Sequence, residues 1–141
     1  MLDQAGKACA DAGLAMAHHN HQPEFRNHAA EEKGLVENTD PKLVSFMLDI
    51  GHAWLADSDA ASFFASHHSR VFGLHVRDFH NRLSVPLGQG EFPLRAPADI
   101  ISQTGWRRRL IDEEERPDMP HKPGKAGTGL SRKTMKEIFG V

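Results

Sequence analysis

The sequence predicts an α/β fold of parallel βα units. Four short apolar runs alternate with stretches of helical periodicity, as strands buried between two helical layers require, and each run ends in charged or imidazole side chains. In parallel α/β folds the carboxyl ends of the strands are where ligands bind, so these polar ends form one candidate rim.

Residues 2–12 (LDQAGKACADA) carry a loose helical pattern that stops at Gly13, a residue suited to the left-handed turn after a helix. The first strand runs from Leu14 to His19 and opens into HNHQPEF, where Pro23 prevents further pairing. Residues 28–38 form a modest helix with Glu31, Glu32 and Lys33 as a solvated face, and Asp40-Pro41 begins a turn. The second strand, Leu43 to Ile50, closes on Asp49 and His52. Ser58 or Asp59 caps a helix over 60–69, with His67 and His68 facing solvent at its end. The third strand, Val71 to Val76, closes on Arg77-Asp78. A glycine-bearing loop, LGQGEF, leads to a helix over 98–104, and Arg107 to Arg109 flank the entrance of a fourth strand from Leu110 to Glu113. Pro117, Pro120 and Pro123 with Gly124, Gly127 and Gly129 mark an irregular crossing, after which Ser131 caps a last helix through Phe139.

The strand-end residues recur at intervals of 25 (Glu24 to Asp49), 26 (Asp49 to His75) and 38 residues (His75 to Glu113). A closed barrel of eight βα units needs about 31 residues per unit, so 141 residues supply only four or five. The expectation is a single domain over 1–141: a partial (half) TIM barrel of about four βα units plus a C-terminal helix. Its two open edges call for a second copy, as a homodimer, or for a missing N-terminal half.

Composition narrows the partners. Lys and Arg number 17 against 19 Asp and Glu, a net charge of −2, so no field draws nucleic acid or anionic lipid. The single Cys9 can form no internal bridge, and the N-terminus carries Asp3 and Asp11 with no uninterrupted apolar stretch, so neither a secretory signal nor a membrane span is expected. A cytoplasmic location follows. Histidine, the commonest metal-binding side chain, is abundant at ten residues.

Glu24, Asp49, His75 and Glu113 offer three carboxylates and one imidazole from four consecutive strand ends. That donor set suits Mn²⁺, Mg²⁺, Co²⁺ or Zn²⁺, and no thiolate is available for a closed structural zinc site. A divalent ion with open positions can hold two oxygens of a hydroxy-ketone and stabilise the enediolate left by proton loss, which is isomerase and epimerase chemistry. A carboxylate beside the ion, Glu24 or Glu113, serves as the base.

Five stretches in order, HHNHQPEF, LDIGHAWLADSD, RVFGLHVRDF, VPLGQGEFPL and GWRRRLIDEEERPD, resemble the carboxyl-terminal half of the sugar phosphate isomerase/epimerase family, the xylose isomerase-like TIM barrels. The resemblance covers about residues 12–118, with a weaker echo in SRKTMKEIFG. It implies a metal-dependent sugar isomerase or epimerase with Asp49, His75 and Glu113 as metal ligands. The fourth ligand in many members is a Glu from the strand that here ends in HHNH; Glu24 is taken for that place, with the histidines of the same stretch, His19 and His21, as the alternative. The resemblance also places His19, His21, His52 and Arg77 against a sugar substrate, Arg77 standing where a Lys is frequent. It makes Asp78 and Glu115 supporting partners and lets Gly88 and Gly90 bring their loop close to the pocket. Two other readings accompany it: an inosose dehydratase-like lyase on the same scaffold, and a truncated, inactive barrel fragment. An endonuclease IV-like phosphodiesterase would require more ligands and a basic surface.

Overall fold

The computed structural model describes residues 1–114 and 125–141. Helix α1 (Leu2–Asp11) runs to the left-handed Gly13. Strand β1 (Ala17–His19) precedes α2 (Arg26–Glu37), and β2 (Ser45–Asp49) passes directly into the short α3 (Ile50–Leu55) and then α4 (Ala60–His67). After β3 (Val71–Val76) come a hairpin of β4 (Asp78–His80) and β5 (Leu83–Val85), helix α5 (Arg95–Thr104), β6 (Arg109–Asp112) and α6 (Lys125–Phe139). The expected order of parallel units is present. The hairpin and α3 were not expected.

Strands β1, β2, β3 and β6 pair in that order, all parallel, which leaves β1 and β6 as open edges. The chain forms a partial barrel that is not closed. Side chains alternate across the sheet. Phe46, Leu48, Leu74 and Val76 are buried, and Leu48, Leu74 and Val76 join the core with Phe63, Phe64, Ile101 and Trp106. The Trp106 indole N–H donates to the Val71 carbonyl at 3.1 Å and its ring meets Phe64 edge-on at 5.4 Å, tying the loop before β6 to β3 and α4. The opposite, concave face carries Met47, Gly73 and Arg109 in one layer: a Cβ on Gly73 would lie 2.8 Å from the Met47 sulfur and 3.2 Å from the Arg109 Cβ. One step nearer the carboxyl end, Asp49 pairs with His75 and His75 with Ile111.

Three sequence expectations are corrected. Ser131 is not a cap: α6 begins at Lys125, so Ser131 lies inside it, buried, with its hydroxyl accepting the Leu87 N–H at 3.1 Å. Glycines 127 and 129, expected in an irregular crossing, belong to the same helix, while residues 117–123 lie outside the described residues. Glu32 is not solvated. It is fully buried, its carboxylate 3.3 Å from His18 Nε2 of β1, because the helical part of α2 after the left-handed turn at Asn27, His28 and Ala29 puts Glu32 and Val36 on one side. Removing one partner of a buried pair leaves the other uncompensated. Glu32→Ala is therefore expected to lower unfolding free energy by about 3 kcal/mol, measured as a drop in denaturant midpoint, whereas Glu31→Ala on the exposed face leaves the midpoint unchanged.

Candidate metal centre

Four strands each deliver one donor to the carboxyl rim. His19 is the last residue of β1, Asp49 the last of β2, His75 lies on β3, and Glu113 follows β6, its N–H extending the ladder to the Val76 carbonyl at 3.1 Å. One ligand atom from each of these four residues lies within 4.8 Å of the others.

Asp49 is the most constrained. It is fully buried, and its Oδ1 caps α3 by accepting the His52 N–H at 2.7 Å. The Asn20 side-chain amide grips its backbone from β1, accepting the Asp49 N–H at 2.8 Å and donating to the Asp49 carbonyl at 3.0 Å. Asn20 is itself buried, so a side chain continues the β1–β2 ladder one step past the strand and fixes where Asp49 stands. Arg77 Nε donates to Asp49 Oδ2 at 2.7 Å, and Arg77 Nη2 pairs with Glu113 Oε1.

The donor set fits a divalent cation. His19 Nε2 is a buried atom without a hydrogen bond among the described residues, 3.7 Å from Asp49 Oδ2, and the buried His75 Nδ1 and Glu113 Oε2 abut one another. Such atoms are uncommon unless an ion or water completes them. Burial, reinforced by neighbouring His75, pushes the His19 imidazole below its ordinary pKa and keeps it in the neutral form that ligates. The His19 and His75 rings stand 4.6 Å apart, centroid to centroid. His21 and His52 lie beside the same group, 5.1 Å apart, with His21 4.9 Å from His19 and His52 Nε2 3.9 Å from Asp49 Oδ2.

Asp49, His75 and Glu113 lie together in this group with His19, one of the two histidines weighed against Glu24 for the fourth position, and Glu24 lies outside it. Pro23 starts a tight turn over Pro23–Phe25 that swings Glu24 back, so that its carboxylate accepts the His21 N–H at 3.0 Å. Burial pulls the Glu24 carboxyl up, but its own N–H, the His21 N–H and the nearby imidazoles outweigh it and hold it below the usual carboxylate range. Glu24→Ala should leave divalent-ion binding unchanged and cost about 1 kcal/mol of stability for the lost hydrogen bond, read by equilibrium dialysis and denaturant unfolding.

Arg77, expected against substrate, is 3% exposed and lies beneath the two carboxylates. Asp78 is buried too and organises the glycine loop, accepting N–H groups from Phe79, Gly88, Gly90 and Phe92 at 2.9–3.0 Å. Glu115 lies outside the described residues. Sequence reading missed Asn20, whose signal is only its place between two rim histidines.

Parallel βα units that gather imidazoles and carboxylates at their carboxyl rim define a parallel α/β barrel scaffold, here in open, partial form. The chain belongs to the xylose isomerase-like TIM-barrel family, whose model matches residues 1–138. It is 35% identical over 77 residues to the inosose dehydratase of Halalkalibacterium halodurans, a match covering 55% of this chain and 25% of that one. Its fold is similar to that of a solved L-ribulose 3-epimerase (TM-score 0.78, 15% identity, 99% of this chain and 52% of the other). It is also similar to the IolI protein solved with a bound zinc atom (TM-score 0.76, 19% identity, 98% and 53%). The matched stretch spans about a quarter of that curated relative, and the chain covers about half of each solved one. Among the described residues no helix is long and apolar enough to cross a membrane.

Proposed function

We propose that this chain carries the metal-holding part of a sugar isomerase or epimerase that works by moving a proton next to a carbonyl. The observation that carries this reading is the convergence of His19, Asp49, His75 and Glu113 within 4.8 Å at the rim. Two imidazoles with two carboxylates favour Zn²⁺, Mn²⁺ or Co²⁺ over Mg²⁺, which prefers oxygen donors. When bound, such an ion acts as a Lewis acid toward a carbonyl oxygen. A carboxylate beside the ion accepts the proton from the carbon beside the carbonyl as the electron pair moves onto the carbonyl oxygen, and the proton returns to the neighbouring carbon or to the other face; Glu113, a quarter exposed where Asp49 is fully buried, is the candidate within the group. His21 and His52, beside the same group, donate to substrate hydroxyls. The reaction runs in the cytoplasm, on the ground of the single Cys9.

A dehydratase is the second reading, supported by the run of inosose dehydratases among the curated relatives. Both reactions start with the same proton loss and part afterwards, when the lyase expels a hydroxyl as water. The open edges β1 and β6 support completion of the barrel by further βα units, from a second copy or an N-terminal half. The test incubates the Mn²⁺-loaded protein with keto-sugars and inososes in D₂O and follows carbon-bound deuterium by NMR. Exchange with an unchanged carbon skeleton supports the isomerase reading, exchange with water loss the lyase, and no exchange in fully metal-loaded protein contradicts both.

A further inference from the structure

We propose that Arg77 is a positioning residue that acts as a resident counter-cation: it neutralises Asp49 and Glu113 while no metal is bound and competes with the metal for them. The inference rests on the metal reading above. Asp49 ends β2 and Glu113 follows β6, the two strands that flank β3, so the sheet brings both carboxylates over the residue that leaves β3. That residue is Arg77, 3% exposed, with Nε 2.7 Å from Asp49 Oδ2 and Nη2 on Glu113 Oε1. A guanidinium is always charged, and its planar fork can address two carboxylates at once, which the single ammonium of a lysine does less well.

The slot for this side chain is built by Gly51. A Cβ there would lie 2.6 Å from the Arg77 Cβ and 3.0 Å from its Cδ, so only glycine lets the arginine pass beside α3. The stretch Asp49-Ile50-Gly51-His52 therefore supplies a ligand, the opening for its counter-charge, and the N–H that caps the ligand's second oxygen. Without the guanidinium, a fully buried and a partly buried carboxylate would be left with only the neighbouring imidazoles beside them. A divalent ion delivers the same neutralisation from the rim. Arginine and metal thus stabilise the same two charges, and each weakens the need for the other.

The test compares wild type, Arg77→Met and Arg77→Lys by Mn²⁺ titration at neutral pH and by thermal melting with and without Mn²⁺. Arg77→Met is expected to melt lower in the metal-free state, to recover most of that loss in Mn²⁺, and to bind Mn²⁺ at least about tenfold more tightly, the scale of coupling between close charges. Arg77→Lys, which keeps the charge, should bind Mn²⁺ nearly as wild type does. A merely structural arginine would lower both melting temperatures equally and leave Mn²⁺ affinity unchanged; that result, or weaker binding, overturns the proposal. If Arg77→Met folds only with Mn²⁺ present, that rescue supports it, and failure to fold in Mn²⁺ overturns it. Absence of Mn²⁺ binding to wild type overturns the metal reading itself, and this inference with it.

Discussion

Asp49→Ala is expected to abolish stoichiometric divalent-ion binding. Asp49 is a donor of the cluster, the cap of α3 and the partner of Arg77, so one substitution removes a ligand, orphans the His52 N–H and leaves a buried guanidinium with one carboxylate fewer. Loss of a residue that merely supports a ligand costs about 10–100-fold in metal affinity, and loss of the ligand itself should exceed that. The folded state should lose about 3–5 kcal/mol, the cost of breaking a buried charge pair. Asp49→Asn separates the two effects, because its amide oxygen can still cap α3 while its charge is gone. It is expected to recover much of the stability and little of the metal binding, checked by denaturant unfolding and by metal analysis of dialysed protein.

Asp78→Ala is expected to produce the largest loss of stability away from the rim. Its carboxylate receives four backbone N–H groups: Phe79 and Phe92 on one oxygen, Gly88 and Gly90 on the other. Buried donors left without partners cost about 1–3 kcal/mol each, so the substitution should remove about 4 kcal/mol or more. The damage should spread, because the same loop is held from α6 through Ser131 and Thr134 on Leu87, and because Phe92 packs edge-on against Trp54. Gly90 is part of the device: a Cβ there would overlap the Asp78 carboxylate and the Phe79 carbonyl. Asp78→Asn, with one acceptor oxygen in place of two, should fall between wild type and Asp78→Ala in denaturant midpoint. An Asp78→Ala midpoint equal to wild type would remove the loop from the account.

What the residues disclosed and what they concealed follow a physical divide. Asp49 and His75 were legible because each is a polar residue at the carboxyl end of an apolar run, and the parallel register then sets them side by side. Helix α4 was legible from Asp59, whose side chain accepts the Ser62 N–H at 2.9 Å. His19 against Glu24 was not, since the choice depends on where β1 ends and on a local turn, and both residues lie within one polar string. Glu32 looked solvated because it sits in a charged triplet, although the i, i+4 spacing of Glu32 and Val36 sets the two on one helix face. The β4–β5 hairpin hid inside a loop whose only signal was Asn81, which with Arg82 adopts the positive φ of a two-residue hairpin turn. Arg77 could be read as a cation near the rim, but its burial beneath the carboxylates depends on a glycine in a neighbouring unit.

Anomalous diffraction from crystals of the protein grown with Mn²⁺ tests the central claim most directly. The account predicts one strong manganese peak at the rim, about 2.0–2.3 Å from one atom each of His19, Asp49, His75 and Glu113, with Glu24 still on the His21 N–H. A peak ligated by Glu24 in place of His19, or Mn²⁺ bound only elsewhere on the molecule, would contradict it.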